Sequence, residues 1–279
     1  MNTAQHIKTT SRELIHQTRG RAHGPVTRLV SPSDLGELIK PFVFLDHVVV
    51  APNGKTLFGM HPHSGIATLT AVLNGSVTYE ETTGRAGEVH AGGVEWMRAG
   101  GGVWHKGGLT GNTPIRAFQL WVALPPALEN APAESQYLDA SAIQQDGPVR
   151  VLLGKYGAAR SIIRAPDGIN YFHVRLHDGQ RWIYQPPAGH RVAWLAVDQG
   201  RLHSSEVVSA GEVAVFDDSS APIEVVAEGF TSFVIGTAVP HPHPLALGYY
   251  SVHTSQEALA RGEAEIRRIG QTLKAEGRL

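Results

Sequence analysis

From about Val26 the chain alternates apolar and polar positions in short runs. VTRLV (26–30), FVFLDHVVV (42–50), TLTAVL (68–73), GSVTYEE (75–81), VEWM (94–97) and IRAFQLWVAL (115–124) are rich in β-branched and aromatic residues and bounded by Gly, Pro or Asn. That is the pattern of strands separated by tight turns. Asn74-Gly75 and Gly84 are turn points, because Asn and Gly accept positive φ at little cost. Pro125-Pro126 interrupts the series, and the polar, Ala-rich stretch running to Gln145 is the candidate linker to a second series.

The second series reads as a weakened copy of the first. TLTAVLNGSV (68–77) aligns with AWLAVDQGRL (193–202), and AGEV at 86–89 with AGEV at 210–213. Gly75 to Gly200 is an offset of 125, and Gly87 to Gly211 one of 124. A near-constant offset predicts duplication into two packed β units. The units expected are residues 1–130 and 131–279. The chain closes with a predicted helix: Thr254 and Glu257 form a capping box, Leu259, Ile266, Ile269 and Leu273 form one apolar stripe, and Gly277 suits the stop.

Composition narrows the chemistry. With 42% hydrophobic and 18% charged residues among 279, and with 31 Gly and 17 Pro, a turn-rich β core is well supplied. A net charge of -1 offers no basic face for a phosphate backbone, so direct nucleic-acid binding is not expected. The polar segment Met1 to Gln17 has no apolar signal core, and no apolar run is long enough to span a bilayer. A cytoplasmic location without membrane contact is the expectation. The chain has no cysteine and 15 histidines, so any metal chemistry falls to imidazole and oxygen.

His61-Pro62-His63 is the sharpest local feature. On a strand, residues i and i+2 share a face about 6 to 7 Å apart, so two imidazoles converge. Pro62 places the pair at an edge, bulge or strand start. The glycine-dense segment AGGGVWHKGG (99–108) delivers His105, 42 residues after His63, as a third ligand that would fix the ion's position. Other candidates rank lower. His90 is a substitute ligand or a surface residue, His47 and Asp46 are orienting groups or strand residues, and the His241-Pro242-His243-Pro244 string is a rigid connection. Glu80 and Glu81 face opposite sides of their strand, so one points inward or both are exposed charge, and Trp96, Trp104 and Trp121 wall a pocket or fill the core. In the second unit His61 and His63 map onto Pro186 and Ala188, so no site is expected there.

The stretch from Pro41 to Pro125 resembles the pirin family of two-cupin proteins. The resemblance rests on Phe42-Val43-Phe44-Leu45-Asp46, His61-Pro62-His63-x-Gly65, Leu73-x-Gly75, Trp96-Met97-x-Ala99-Gly100-x-Gly102 and His105, with Gly248 to Thr254 similar to the family's C-terminal signature. It implies an all-β bicupin, two tandem cupin β-barrels ending in a helix. The N-terminal barrel would bind one divalent metal through His61, His63 and His105, usually iron, with nickel, zinc, copper or manganese as alternatives. Some members of the family resemble quercetinases that cleave flavonols with molecular oxygen. Others are transcriptional co-regulators, for which a chain of this charge would act through a protein partner. Two departures stand out: the family's carboxylate two residues after the third histidine is Gly107 here, and the one four residues after the H-x-H pair is Ala67. Three neutral imidazoles would leave a divalent ion its full charge and open positions, favouring an anionic, chelating substrate. The expectation is therefore a metal-dependent dioxygenase acting on a small aromatic or enolic molecule. The alternative is a regulatory, protein-binding homologue whose metal site has decayed.

Overall fold

A computed structural model describes residues 11–51, 56–109 and 112–279. The first ten residues of the polar arm lie outside them. The first unit contains β2 (Arg21–His23), β3 (Val26–Val30), β4 (Phe42–Val50), β5 (Thr56–His63), β6 (Ile66–Asn74), β7 (Ser76–Glu81), β8 (Ala86–His90), β9 (Val94–Arg98), β10 (Val103–Leu109), β11 (Ile115–Ala123) and β12 (Glu134–Leu138). They follow β1 (Leu14–Thr18), and a single helical turn, α1 (Leu35–Leu38), precedes β4. The six runs read from hydrophobic alternation all lie on strands. Seven strands in the order β12-β9-β6-β11-β4-β3-β2 face a four-stranded sheet, β5-β10-β7-β8.

The second unit holds β13 (Gln145–Asp146), β14 (Val149–Leu153), the β15 (Lys155–Tyr156) and β16 (Ala159–Arg160) pair, β17 (Ile169–Leu176), β18 (Arg181–Tyr184), β19 (Val192–His203), β20 (Val207–Ser209), β21 (Val213–Phe216) and β22 (Ile223–Ala238). Its main path runs β1-β21-β19-β22-β17-β14-β13. This is the order of the first sheet, strand for strand, so the repeat is a repeat of topology. Gly75 and Gly200 both take left-handed φ, 76° and 77°. The second glycine match shifts, however. Gly92 donates to the carbonyl of Val72 and Gly211 to that of Val197, which makes Gly92, not Gly87, the partner of Gly211. The offset there is 211 − 92 = 119, because the hairpin before it is shorter in the second unit, and the shared AGEV string was a coincidence of spelling. The expected barrels are open: among the described residues, β12 and β2 lie at the two ends of one sheet, and the two sheets of the first unit share no strand.

The chain crosses between the units at both ends. β1 pairs with β21, and the buried Arg12 guanidinium beside it donates to the carbonyls of His190 (2.6 Å), Arg191 (3.0 Å) and Ala221 (3.0 Å). The candidate linker is not loose chain, since β12 within it pairs along the whole of β9. After the hairpin β23 (Ala246–Gly248) and β24 (Ser251–His253), the closing helix α2 (Gln256–Ala275) packs back on the first unit. Leu259, Ile266 and Leu273 of its apolar stripe are buried, and Trp104 Nε1 donates to the carbonyl of Ile266 at 2.8 Å. The cap is Ser255, whose hydroxyl accepts from the Ala258 amide, whereas the Thr254 hydroxyl donates to Glu129 instead of capping. Among the described residues no helix is long and apolar enough to cross a membrane.

The largest apolar cluster lies between the two seven-strand paths, with Phe42, Trp96 and Phe118 of one unit against Tyr171 and Trp194 of the other. A second cluster, including Phe172, Trp182, Phe216 and Phe233, fills the interior of the second unit. The interior of the first unit has only small apolar clusters and a cavity between them. Burial of apolar area is the main stabilising term, so the second unit is the filled one and the first retains space for a site.

Candidate metal centre

Strand register brings the three histidines together. His105 on β10 lies directly opposite His61 on β5, with Trp104 opposite Pro62 and Val103 opposite His63. His61, His63 and His105 each offer a ring nitrogen, and these nitrogens all lie within 4.8 Å of one another. His63 Nε2 and His105 Nε2 are 3.1 Å apart. His63 and His105 are buried and His61 is partly exposed toward the opening.

Hydrogen bonds set the ring tautomers. His61 Nδ1 meets the carbonyl of Gly59 at 2.7 Å, and His63 Nδ1 meets that of Tyr250 at 3.1 Å. A carbonyl only accepts, so each Nδ1 carries the proton and each Nε2 keeps its lone pair. Burial, reinforced by His105, pushes His61 down to about 4 and His63 well below the ordinary imidazole range. Both are neutral near pH 7, the state a metal requires. Metal–nitrogen bonds near 2.1 Å place facial ligand nitrogens about 3 to 3.5 Å apart, so the donor set fits a divalent ion with small ring movements.

Trp121 seats His63 edge-on, with ring centres 4.9 Å apart, while its other neighbour Phe44 stacks at 3.9 Å. Of the three tryptophans singled out, Trp121 alone reaches the histidines; Trp96 belongs to the core between the units and Trp104 docks the helix. The turn at Tyr249 and Tyr250, between β23 and β24, lies over the pair, with the Tyr250 ring 5.6 Å from His61 and 5.9 Å from His63. No local signal marks Tyr250, which is 187 residues from His63.

Other sequence candidates fall elsewhere. Asp46 pairs with Arg28, whose guanidinium lies 3.8 Å over the Phe44 ring, and so does not orient a ligand. His47 is neither a ligand-orienting group nor solvent-facing: it is buried against Asp198 of the second unit at 3.1 Å. His90 is exposed beside Glu88, 3.3 Å away. His241 and His243 meet edge to face in the connection after β22. Glu80 points out to Lys106 and Arg278, at 2.8 and 3.0 Å. Glu81 is the inward one, opposite His105 in register and satisfied by Ser135 at 2.8 Å and Tyr137 at 2.6 Å.

A carboxylate that the sequence reading passed over lies closer. Glu95 on β9 is buried, its Oε1 is 3.8 Å from His105 Nδ1, and that oxygen has no hydrogen-bond partner. Thr70 and Gln119, its neighbours across the sheet, line the same cavity. Strand parity was the available signal, because Glu95 alternates with the core residues Val94 and Trp96.

A buried relay, Ser64 Oγ to His253 Nε2 (3.0 Å) and His253 Nδ1 to Glu129 Oε2 (3.2 Å), has the order of a hydrolase triad. Ser64 is fully buried, and a methyl group at Gly262 would fall 2.6 Å from its hydroxyl. No substrate could reach that oxygen. The relay fastens the C-terminal segment beneath the metal-site strand.

The two missing carboxylates have different structural meanings. Ala67 is fully buried in the cluster between the units, on the face of β6 opposite Thr70, so a short acid there would not face the histidines. Gly107 lines the cavity, two residues beyond His105 and opposite Tyr79. A Cβ at Gly107 would meet Thr78 O at 3.6 Å, Val77 Cγ1 at 3.7 Å and Phe58 Cδ2 at 3.9 Å, all ordinary contacts. Gly107→Glu is therefore expected to fold and to raise metal affinity on the order of tenfold or more. Chelator-competition titration checks this, and equal affinities for the two proteins would show that the side chain does not reach the ion.

Residues 24–122 match the Pirin family model. A Vibrio cholerae protein provisionally named quercetin 2,3-dioxygenase is 31% identical over 63% of this chain and 67% of its own length. A Pseudomonas aeruginosa protein of the same provisional name is 29% identical over 81% of this chain and 84% of its own. In fold, the chain is similar to a quercetin 2,3-dioxygenase from Acinetobacter baumannii, with a TM-score of 0.86, 24% identity and coverage of 93% and 98% of the two chains. It is also similar to the Escherichia coli pirin YhhW in complex with nickel(II), with a TM-score of 0.62, 19% identity and coverage of 79% and 95%. The three clustered histidines, the repeated sheet order and these likenesses agree: the chain belongs to the pirin family.

Proposed function

We propose that the chain is a metal-dependent dioxygenase, acting on a small aromatic or enolic substrate that chelates a divalent ion held by His61, His63 and His105. The observation that carries the reading is the convergence of three ring nitrogens within 4.8 Å, two of them locked as lone-pair donors, beside a cavity that His61 and His105 line. Relatives provisionally named quercetin 2,3-dioxygenase support the substrate class. Imidazole sets suit iron, nickel, copper and zinc, and iron is the ion the family resemblance favours. A bound ion would supply Lewis-acid polarisation of the substrate's chelating oxygens.

The chain's own residues would do the rest. Val48, Phe58, Ile115 and Ala117 give the cavity apolar walls that exclude water, and Gln119 and Thr70 offer hydrogen bonds to a polar substrate edge. The space open to water-sized groups is about 40 Å³, room for a few of them. A flavonol would thus present its chelating oxygens inward and keep its rings toward the opening beside Lys106 and Gly107.

That small volume also favours a second reading, a regulatory protein that engages a protein partner without turnover. Metal analysis after reconstitution with iron(II) or nickel(II), together with oxygen uptake on quercetin, separates the two. Stoichiometric metal with oxygen uptake is expected. Stoichiometric metal without uptake on flavonols or simple enols supports the regulatory reading, and sub-stoichiometric metal sinks the site.

A further inference from the structure

Glu95 has two features that the proposed histidine site leaves unexplained. It is a buried carboxylate, and its Oε1 has no hydrogen-bond partner. Leaving such an atom buried and unpaired is costly, so its persistence calls for a state in which it gains a donor. The nearest nitrogen is His105 Nδ1, 3.8 Å away and beyond hydrogen-bond range.

The tautomers show why the contact is open here. His63 gives its Nδ1 proton to the carbonyl of Tyr250 and offers a lone pair at Nε2. The 3.1 Å contact to His105 Nε2 then needs a proton on His105 Nε2. A neutral His105 ring so arranged turns a bare Nδ1 lone pair toward the Glu95 oxygen, two acceptors facing each other. An ion on His105 Nε2 would reverse this. The ring proton leaves Nε2 for Nδ1, and Nδ1–H then faces Glu95 Oε1, a carboxylate oxygen that lacks a donor. Glu81, the other buried carboxylate behind the triad, is not available, because Ser135 and Tyr137 already occupy its two oxygens.

We infer that Glu95 is the positioning carboxylate of the metal centre: it accepts the Nδ1 proton of metal-bound His105, and so places through that ring the negative charge that Gly107 no longer supplies at the ion. The inference rests on the three-histidine site proposed above. A carboxylate behind a ligand imidazole fixes its tautomer and orientation and raises its basicity, and losing such a partner typically lowers metal affinity about 10- to 100-fold. Glu95 acts through the His105 ring, so its signature lies in affinity and in the state of that ring.

The test uses the full chain, titrated with zinc(II) as a diamagnetic probe. Long-range ¹H–¹⁵N NMR of the imidazoles reads the tautomer, and chelator competition reads the affinity. In the zinc-loaded wild type His105 is expected to carry its proton on Nδ1, with a low-field resonance. Glu95→Gln, nearly isosteric, should bind zinc about 10- to 100-fold more weakly and lose the low-field position. Glu95→Asp, which keeps the charge but withdraws it by one methylene, should fall between. A loaded wild type with His105 protonated on Nε2 overturns the inference without any variant, and so does wild-type affinity in Glu95→Gln. Should the wild type take up no zinc, the three-histidine reading itself fails, which the titration shows before any variant is made.

Discussion

His61→Ala, His63→Ala and His105→Ala are each expected to lower metal affinity by at least about 100-fold, since loss of a group merely supporting a ligand costs 10- to 100-fold. With three protein ligands, removal of any one leaves two, which set a direction but not a position. The variants should differ in stability. His63 is fully buried under Trp121, so its truncation leaves a void costing on the order of 2 to 4 kcal/mol. His61 is partly exposed at the opening and its truncation should cost far less. Metal-free melting then separates fold from function: His61→Ala should melt near wild type yet gain no metal-dependent stabilisation, where a site filled to 100 times its Kd gains about 2.7 kcal/mol. Retention of stoichiometric metal by His61→Ala would exclude it from the ligand set.

Metal-free protein should lose stability steeply in mild acid, through histidines buried in their neutral form. Burial, helped by Arg175 and Arg150, holds His173 at about 3, against an ordinary value of 6.5. Between those values the unfolded chain binds a proton that the folded chain refuses. Stability therefore falls as pH drops through this window and is fully present only above about 6.5. One such group contributes a slope of about 1.4 kcal/mol per pH unit. His173→Gln keeps a polar partner for the Ser232 hydroxyl, now 3.0 Å from His173 Nε2. It should remove that slope, which amounts to about 3 kcal/mol less destabilisation between pH 7.5 and pH 4.5. Urea midpoints at the two pH values read the difference. Equal losses in variant and wild type would mean that His173 gains its proton without unfolding. His61, held at about 4, adds to the same trend in the wild type.

The legibility of the fold follows from the range of the forces involved. The β-branched and aromatic content of FVFLDHVVV and IRAFQLWVAL is written within each strand, so β4 and β11 could be read directly. The duplication was legible through Gly75 and Gly200, because a left-handed turn tolerates few residues other than glycine. The second anchor misled, since a short string can match anywhere while only the hydrogen bonds of Gly92 and Gly211 identify equivalent turns.

At the site the same division holds. His61, His63 and His105 were legible because strand parity and one glycine-rich return place them, and parity is a local property. Glu95, Tyr250 and the inward turn of Glu81 depend on which strands lie side by side and on a C-terminal hairpin folding back across the first unit. The sequence by itself determined the strands, the repeat and the three converging imidazoles. The tertiary structure decided which unit was filled with apolar side chains and which kept a cavity, which carboxylate faces the His105 ring, and that Gly107, not Ala67, lines the cavity. Those outcomes come from packing between residues far apart in the chain, where burial and register, not local propensity, set each side chain's surroundings.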